Sequence, residues 1–390
     1  MNPRTLESLN PNFMKNNLKV ILVAGARPNF MKIAPIINAI NVFNGNTATL
    51  HHSNTIQYLL VHTGQHYDLA MSETFFRELE LPKPDINLEV GSASHAVQTA
   101  NIMIGFEKVC LEARPDWVVV VGDVNSTMAC SLVASKLGVK VAHVEAGLRS
   151  FDRTMPEELN RLVTDALSDL LFTPSEDADD NLLREGIPIT KIKRVGNIMI
   201  DTLVTHLENS RRLRPYDRFG LRKREYVFVT LHRPSNVDDE RSLSIIMECL
   251  ARLSKKLSVI FALHPRTKRN LIQFELWKES NNSNELILSD PLGYQDTIGL
   301  VDSALFVLTD SGGLQEETTF LNIPCLTLRP NTERPVTIHQ GTNKLTSLET
   351  LDSDIENALN CHSRVRQIPK LWDGKTGERI IEILVYESRN

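Results

Sequence analysis

The chain is 390 residues long, 42% of its residues are hydrophobic, and its formal net charge at pH 7 is −5. At roughly 150 residues per domain, this length predicts two or three globular domains. The negative charge disfavours nonspecific nucleic-acid binding, and no apolar stretch approaches the roughly 18 residues of a membrane span. The five cysteines are scattered and lack CxxC spacing. They disfavour a disulfide framework or a zinc site and favour a reducing cytoplasm.

The chain begins with residues 1–17, which have no apolar core and are interpreted as a loose N-terminal arm, not as a signal peptide. Short apolar runs then alternate with longer amphipathic segments. The first series predicts strands at 19–25, 57–63, 116–123, 140–146 and 170–175. After Arg194 a second series predicts strands at 224–233, 257–265, 285–290, 304–310 and 323–328. The segment 371–390 predicts a C-terminal helix that packs back on the N-terminal domain.

Continuous Val/Ile/Leu strands separated by helices are typical of a parallel sheet covered on both faces. Two such series predict an α/β protein with two Rossmann-like, doubly wound domains, at 18–195 and 196–370. Ligands of open α/β sheets bind at the carboxyl ends of the strands. Two sheets that present these ends to each other would enclose one polar cleft.

The segment GARPNFMK places Arg27 and Lys32 around the first strand-to-helix turn. It is neither a GxGxxG fingerprint nor a Walker A loop, which disfavours nicotinamide and P-loop nucleotide chemistry. The planar guanidinium of Arg27 would suit a phosphate or a carboxylate. The alternative is a solvated pair of surface cations.

Asp123 and Glu145 directly follow two predicted strands of the first series. A carboxylate at such a point is costly unless it caps a helix or meets a ligand. Asp123 could be an N-cap, whereas Glu145, followed by Gly147, is harder to explain in that way. Glu157 and Glu158 begin a predicted helix, where acidic residues are also ordinary partners of the helix dipole.

His232 and Arg233 follow one strand of the second series, and His264 follows the next strand. These histidines lack the HExxH spacing of a zinc helix, and no GxSxG nucleophile elbow is present. The sequence therefore favours acid–base and electrostatic chemistry by carboxylates and histidine.

The segment DSGGLQEE, residues 310–317, lies between a predicted strand and a predicted helix. Ser311, Gly312 and Gly313 occupy the turn, where glycine lets the backbone approach a ligand and the helix N-terminus favours a phosphate. Glu317, about one turn further on, could accept hydrogen bonds from sugar hydroxyls. The alternative is an ordinary βα turn with a glycine cap.

Together these segments resemble the non-hydrolysing UDP-N-acetylglucosamine 2-epimerases, over residues 19–385. The resemblance rests on an ordered set of motifs: GARPxFMKIAP, HTGQH, GDxxST, HVEAGLR, PEExNR, GN, LHR, HP, DSGGxQEE and TERP. It implies a glycosyltransferase-B-like fold with the active site between the two domains, and a homodimer. It further implies reversible inversion at C2 of a UDP-N-acetyl sugar, by elimination of UDP and its re-addition to a 2-acetamidoglucal, with no redox cofactor or metal.

The resemblance also assigns roles by motif position. It implies the catalytic set Asp123, Glu145, Glu157 and His232. It implies UDP or substrate contacts for Arg27, Lys32, Arg149, Ser311, Gly312, Gly313, Glu317 and Arg334. It implies a second, allosteric site at Gln65, Glu158, Arg233 and His264. The chain departs from the family pattern at Ser235 and Val336, where glutamate is usual, at Thr297, where an aromatic is often found, and near residue 93, where an arginine is missing.

Several functions remain open at this point. The leading prediction is a cytoplasmic UDP-N-acetylglucosamine 2-epimerase that supplies polysaccharide synthesis. The alternatives are a 2-epimerase of a modified UDP-N-acetyl sugar, a hydrolysing epimerase that releases N-acetylmannosamine and UDP, and a glycosyltransferase of the same fold. A non-catalytic nucleotide-sugar sensor would need only the UDP contacts, so the catalytic carboxylates and His232 argue against it.

Overall fold

The computed structural model describes residues 17–49, 55–64, 81–277, 285–360 and 367–389. Within these ranges the strands form two sheets, one from each half of the chain. The first sheet contains β1 (Leu18–Ala24), β2 (Ile56–His62), β3 (Ile86–Asn87), β4 (Trp117–Val121), β5 (Lys140–Val144), β6 (Leu170–Thr173) and β7 (Ile192–Arg194). The second contains β8 (Tyr226–Thr230), β9 (Ser258–Ala262), β10 (Leu286–Ser289), β11 (Phe306–Thr309), β12 (Cys325–Leu328) and β13 (Asn343–Thr346).

Helices connect the strands of both sheets. The first half of the chain supplies α1 (Arg27–Thr49), α2 (His95–Ala113), α3 (Asn125–Lys136), α4 (Pro156–Leu167), α5 (Glu176–Arg184), α6 (Ile198–Leu213) and α7 (Pro215–Arg218). The second half supplies α8 (Pro234–Val237), α9 (Glu240–Ser254), α10 (Pro265–Gln273), α11 (Tyr294–Ser303), α12 (Gly312–Leu321), α13 (Val336–His339), α14 (Leu351–Asn360) and α15 (Thr376–Glu387). A short 3₁₀ helix, Ile189–Lys191, precedes β7.

Both sheets are parallel and share one strand order. The first runs β3-β2-β1-β4-β5-β6-β7 and the second β10-β9-β8-β11-β12-β13. In the first, Leu22 of β1 lies beside Leu60 on one side and Val119 on the other. The order reverses between β1 and β4, and again between β8 and β11. A crevice opens at the carboxyl ends of the strands at each such reversal, so each sheet has a ready ligand position there.

The ten predicted strands all occur, whereas β3, β7 and β13 were not predicted. These three lie at sheet edges and are two to four residues long. Their polar residues, as in Ile192-Lys193-Arg194, interrupt the apolar run by which a central strand is predicted. Edge strands are commonly short and charged, since this protects an open sheet edge from pairing with other chains.

Helix α6 and the C-terminal segment join the two halves of the molecule. Helix α6 packs against α1 on one side and against α11 and α12 on the other. The C-terminal segment returns to the first sheet, where the Trp372 indole donates to the Pro174 carbonyl at 3.0 Å. The Trp117 indole of β4 donates to Ser388 at 2.8 Å. Helix α15 therefore packs on α1 and contributes Ile380, among others, to the core of the N-terminal half.

The predicted N-terminal arm lies almost wholly outside the described residues. Among the helices that the structure does describe, none is long and apolar enough to cross a membrane.

Candidate active site

The predicted site residues lie at the two points where strand order reverses. Asp123 follows β4, and Lys32 lies in α1, which follows β1. His232 follows β8, and Ser311 follows β11. Each crevice therefore holds charged or polar groups from both of its flanking strands.

Asp123 forms an ion pair with Arg161 of α4. It is not a helix cap, because Val124 occupies the N-cap position of α3 and no side chain caps that end. Glu158, one turn before Arg161, accepts from the same guanidinium at 2.6 Å and also from the backbone N–H groups of Ser150 and Phe151. Burial would raise the pKa of Glu158, but these hydrogen bonds and Arg161 lower it below its usual value.

Glu145 and Lys32 form a buried ion pair. Glu145 has a φ of 71°, so the backbone turns sharply as it leaves β5. One carboxylate oxygen faces the Lys32 ammonium, and the other, Oε1, is buried without a hydrogen-bond partner among the described residues. A Cβ on the neighbouring Gly122 would lie 2.8 Å from the Lys32 nitrogen, so glycine leaves the space that this pair occupies.

Arg149, predicted to contact the substrate, has protein partners in this ligand-free structure. Its guanidinium pairs with Asp165 at 2.7 Å and is bidentate to Glu185, and its side chain is 1% exposed. Asp165 also accepts from the Gly147 N–H at 3.1 Å and from His143 at 2.6 Å. These contacts use most of the Arg149 donors within the protein and fix the loop that follows Glu145.

His232 is held by Asp310, which directly follows the neighbouring strand β11. The Nδ1 atom of His232 lies 3.0 Å from Asp310 Oδ1, and Asp310 is fully buried. Burial would raise the pKa of Asp310, but the hydrogen bonds from His232, Arg233 and Asn236 lower it. The ring of His264 lies 5.5 Å from that of His232, so Arg233 and His264 both border His232.

The start of α12 presents a glycine surface backed by a cation. Ser311 is the N-cap residue of α12, and its N–H donates to Thr309 Oγ1 at 3.0 Å. A Cβ on Gly312 would lie 2.6 Å from Nη1 of Arg334. Of the residues that the structure describes, a Cβ on Gly313 would meet only Met199, at 3.8 Å. Gly312 thus allows close packing against Arg334, and Gly313 leaves open space.

Arg334 lies at the centre of a buried ionic cluster. It pairs with Glu316 at 2.9 Å and with Glu333, and Arg329 pairs with Glu333 at 2.7 Å. Burial raises the pKa of Glu316 to about 7, although Arg334 opposes this shift. Burial would also raise the pKa of Glu333, but Arg334 and Arg329 hold it well below its usual range.

Glu317 is buried beside an aromatic hydroxyl. The Tyr294 hydroxyl donates to Glu317 Oε1 at 2.9 Å. Burial raises the pKa of Glu317 to about 8, the Tyr294 hydrogen bond lowers it in part, and Glu316 raises it further. The pair ties the start of α11 to the first turns of α12.

Charges from the two sheets interact across the cleft. The pKa of Glu316 is raised by Glu145 and lowered by Lys32, both from the first sheet's crevice. Burial opposes the raised pKa of Arg161, and Asp123, Glu158 and Glu333 favour it. The carboxylates of one half therefore lie close enough to the cations of the other half for each to shift the pKa of the other.

Two predicted residues cannot be placed in this arrangement, and a third, Glu157, is exposed. Gln65 and the side chain of Arg27 lie outside what the structure describes, although Arg27 begins α1. Glu157 is exposed in the first turn of α4, and its charge acts on Arg233. In the described part of the chain, no three His, Cys, Asp or Glu side chains are placed to hold a metal ion.

Sequence reasoning missed several residues of this site. Arg161, Glu316, Glu333 and Asp310 stand inside the quoted motifs, so adjacency to a motif residue was the available signal. Tyr294 and Arg329 carried no such signal. Tyr294 meets Glu317, 23 residues further along the chain, only through the fold. Arg329 lies four residues before Glu333, but outside the quoted motif.

Comparison with known proteins gives the family. A family model described as UDP-N-acetylglucosamine 2-epimerase matches residues 48–385. The chain belongs to the UDP-N-acetylglucosamine 2-epimerase family. It is 40% identical to a UDP-N-acetylglucosamine 2-epimerase of Methanococcus maripaludis, over 95% of this chain and 99% of the relative. It is 39% identical to a UDP-2,3-diacetamido-2,3-dideoxy-D-glucuronate 2-epimerase of Pseudomonas aeruginosa, over 94% of this chain and 99% of that one.

A solved structure of this epimerase family has the same architecture. The crystal structure of Methanocaldococcus jannaschii UDP-GlcNAc 2-epimerase in complex with UDP-GlcNAc and UDP matches with a TM-score of 0.85 and 42% identity. The match covers 95% of this chain and all of that one. The predicted family, the glycosyltransferase-B-like fold of two Rossmann-like domains and the assignment as an epimerase, an isomerase, are thereby confirmed.

Proposed function

We propose that this epimerase interconverts UDP-N-acetylglucosamine and UDP-N-acetylmannosamine by inversion at C2. The family and the relatives named above support the reaction class. In this chain the proposal is supported chiefly by the charged groups that the two halves bring together in the cleft. Asp123 and Glu145, which follow β4 and β5, interact electrostatically with the ionic cluster around Arg334 at the start of α12.

The chemistry that fits this cleft is an elimination followed by an addition. A base removes the C2 proton while the C1–oxygen bond to UDP breaks, and the electron pair forms the C1–C2 double bond of a 2-acetamidoglucal. UDP then adds back to C1 while a proton reaches C2 from the opposite face. The atoms balance, because UDP and one proton leave and return.

The positions of the side chains support separate roles for the two halves. Asp123 and Glu145 supply carboxylates from the first half, Glu157 a third, and His232 an imidazole from the second, for proton transfer and charge stabilisation. Oε1 of Glu145, which has no hydrogen-bond partner in the described part of the chain, would be an acceptor within the site. The start of α12 would hold the departing diphosphate through its N–H groups and dipole.

Other residues would bind the nucleotide part of the substrate or hold the loops of the site in place. Glu317 would accept hydrogen bonds from the ribose, and Lys32 and Arg27 would face the nucleotide end of the substrate. Arg334 would place positive charge behind the diphosphate, since its guanidinium lies directly against Gly312. Arg149 and Glu158 would hold loops, because their polar atoms are already engaged within the protein.

The test is to incubate the protein with UDP-N-acetylglucosamine in heavy water and to follow C2 by NMR. We expect deuterium at C2 in both epimers, with UDP and the glycal only as minor released species. Stoichiometric UDP and free N-acetylmannosamine would instead establish a hydrolysing epimerase. Absence of exchange with any UDP-N-acetyl sugar would refute an epimerase and favour a sensor.

A modified sugar is the second candidate substrate. It is favoured by the 39% identity to the diacetamido-glucuronate 2-epimerase, nearly equal to the identity with the N-acetylglucosamine enzymes. The same heavy-water experiment with both UDP-sugars, compared by kcat/KM, distinguishes the two. A preference for the diacetamido uronate would replace the first candidate.

We further propose that the protein is a cytoplasmic homodimer. Val97, Ile104 and Leu111 recur every seven residues on α2 and are 52%, 59% and 58% exposed. Such spacing puts them on one helix face, and an antiparallel copy would pair Ile104 with itself and Val97 with Leu111, as a two-fold interface requires. The cysteines support the proposed cytoplasmic location. The four cysteines within the described ranges are buried and form no disulfide, which fits a reducing compartment.

A further inference from the structure

We propose that Asp310 is a positioning residue that fixes the proton of His232 on Nδ1 and so leaves Nε2 as the reactive nitrogen. The inference rests on the proposed acid–base role of His232. Sequence reasoning placed Asp310 only at the edge of the diphosphate loop. The structure connects it to the histidine of the neighbouring strand instead.

The geometry is that of a fully engaged buried carboxylate. Oδ2 accepts from the backbone N–H of His232 at 3.0 Å, from the N–H of Arg233 at 2.8 Å and from the Asn236 amide at 2.9 Å. Oδ1 accepts from the same His232 N–H at 3.1 Å and faces His232 Nδ1 at 3.0 Å. An ionised carboxylate only accepts hydrogen bonds, so Nδ1 must carry a proton in order to bond to it.

The surroundings of the ring support this orientation. Asp310 is completely buried, whereas the His232 side chain is 39% exposed. One ring nitrogen therefore faces the protein interior while the ring retains access to the cleft. His264 accepts the Arg266 N–H on its own Nδ1 at 3.2 Å. Its ring lies 5.5 Å from that of His232.

The placement of Asp310 links two functions of the site. Asp310 immediately precedes Ser311, the N-cap residue of α12. Its carboxylate thus holds the His232 imidazole, which follows β8, beside the start of α12, where the diphosphate would bind. A histidine whose tautomer is fixed by a carboxylate can exchange a proton through its other nitrogen without first rotating.

Asp310→Asn is a nearly isosteric test. The amide oxygen can keep the three hydrogen bonds that Oδ2 accepts, while the amide NH₂ replaces Oδ1 opposite His232. That group donates, so Nδ1 must become an acceptor and the proton moves to Nε2. We expect kcat to fall about 10²–10⁴-fold, while the UDP dissociation constant and the melting temperature stay close to those of the wild type.

The tautomer is read directly from ¹⁵N NMR shifts of His232, and this readout does not depend on activity. In the wild type we expect Nδ1 protonated, and in Asp310→Asn we expect Nε2 protonated. The control is Asp290→Asn. Asp290 follows the edge strand β10, is exposed and pairs with Lys268. It should leave both the tautomer and kcat unchanged.

Two results would overturn the inference. One is a wild-type His232 with its proton on Nε2, which needs no variant and so does not depend on whether Asp310→Asn folds. The other is a folded Asp310→Asn protein with unchanged kcat. An inactive wild type with Nδ1 protonated would refute the proposed function and leave the positioning contact established.

Discussion

At Glu145 and Asp123, two carboxylates with similar predicted roles differ in how they are held. Glu145 pairs with Lys32 and both side chains are less than 10% exposed, whereas the Asp123 side chain is 30% exposed. Removing one partner of a buried pair leaves an uncompensated charge, which costs about 3–5 kcal/mol. Arg161, the partner of Asp123, would keep Glu158.

Asp123→Asn is therefore the cleaner test of catalysis. We expect turnover to fall about 10²–10⁴-fold, with UDP affinity and melting temperature nearly unchanged. Glu145→Gln should lose turnover and stability together. The matched control is Asp116→Asn at the opposite end of β4, whose carboxylate accepts from the Lys19 N–H. Near-normal turnover in Asp123→Asn would make this aspartate structural.

Glu317 makes the stability of the ligand-free protein depend on pH. Its pKa is raised from 4.5 to about 8 in the folded state, chiefly by burial. A raised pKa means that the folded state binds the proton more tightly than the unfolded state does, so protonation of Glu317 stabilises the fold. This stabilisation is complete below pH 4.5 and is lost as pH rises through about 8.

We therefore expect the difference in unfolding free energy between wild type and Glu317→Gln to fall steadily from about pH 5 to about pH 8, measured by urea denaturation. The control is Glu349→Gln at an exposed position. Hydrogen bonding to Ser347 lowers the pKa of Glu349, so its stabilisation is already complete in this pH range. A flat difference for Glu317→Gln would show that the carboxylate is ionised throughout.

At the scale of elements, the first turn of α12 separates packing from ligand access. Gly312 has no room for a Cβ, because Arg334 is held there by Glu316 and Glu333. Gly313 has room, and neither glycine has a positive φ. The two adjacent glycines should therefore respond oppositely to the same substitution.

We expect Gly312→Ala to lower the melting temperature, since Arg334 must leave its partners. Gly313→Ala should leave stability unchanged or raise it by up to about 1 kcal/mol, as glycine replacements at compatible helix positions do. If the diphosphate binds at this turn, Gly313→Ala should nevertheless weaken UDP binding at least about tenfold, or about 1.4 kcal/mol, by calorimetry. Unchanged UDP affinity in Gly313→Ala would remove this turn from the site.

At the scale of the whole molecule, two sheets, the linking helix α6 and the returning C-terminal segment form a scaffold around the cleft. The proposed dimer adds a surface on α2, away from these joints. Exposed apolar stripes of this kind commonly mark protein interfaces.

The dimer is tested with one charge on that surface. Ile104→Glu should convert a dimer into a monomer in light scattering after gel filtration, because a two-fold contact would bring two glutamates together. Ile189→Glu, at an equally exposed isoleucine in the 3₁₀ helix, should not change the mass. A monomeric wild type, or a dimer that survives Ile104→Glu, would contradict the proposed interface.

The sequence alone determined the order of the elements and the ends at which chemistry could occur. Apolar periodicity is a local signal, so it predicted the central strands and the residues that follow them, such as Asp123 and His232. It failed at the edge strands β3, β7 and β13, where polar residues interrupt the apolar run, as in β7. The edge strand β10, which keeps the apolar run Leu286–Ser289, was predicted. The ordered set of motifs is also read along the sequence, and it was sufficient to identify the family.

Only the tertiary structure decided which of these residues hold one another. Lys32 and Glu145 are separated by 113 residues, and His232 and Asp310 by 78. They meet because the strand order reverses beside β1 and β8, which brings the ends of non-consecutive strands together. Arg149 matched a ligand-binding position in the motif, and only the structure showed that it is buried and paired with Asp165 and Glu185. A side chain's partners depend on sheet order and burial, and neither is encoded in local spacing.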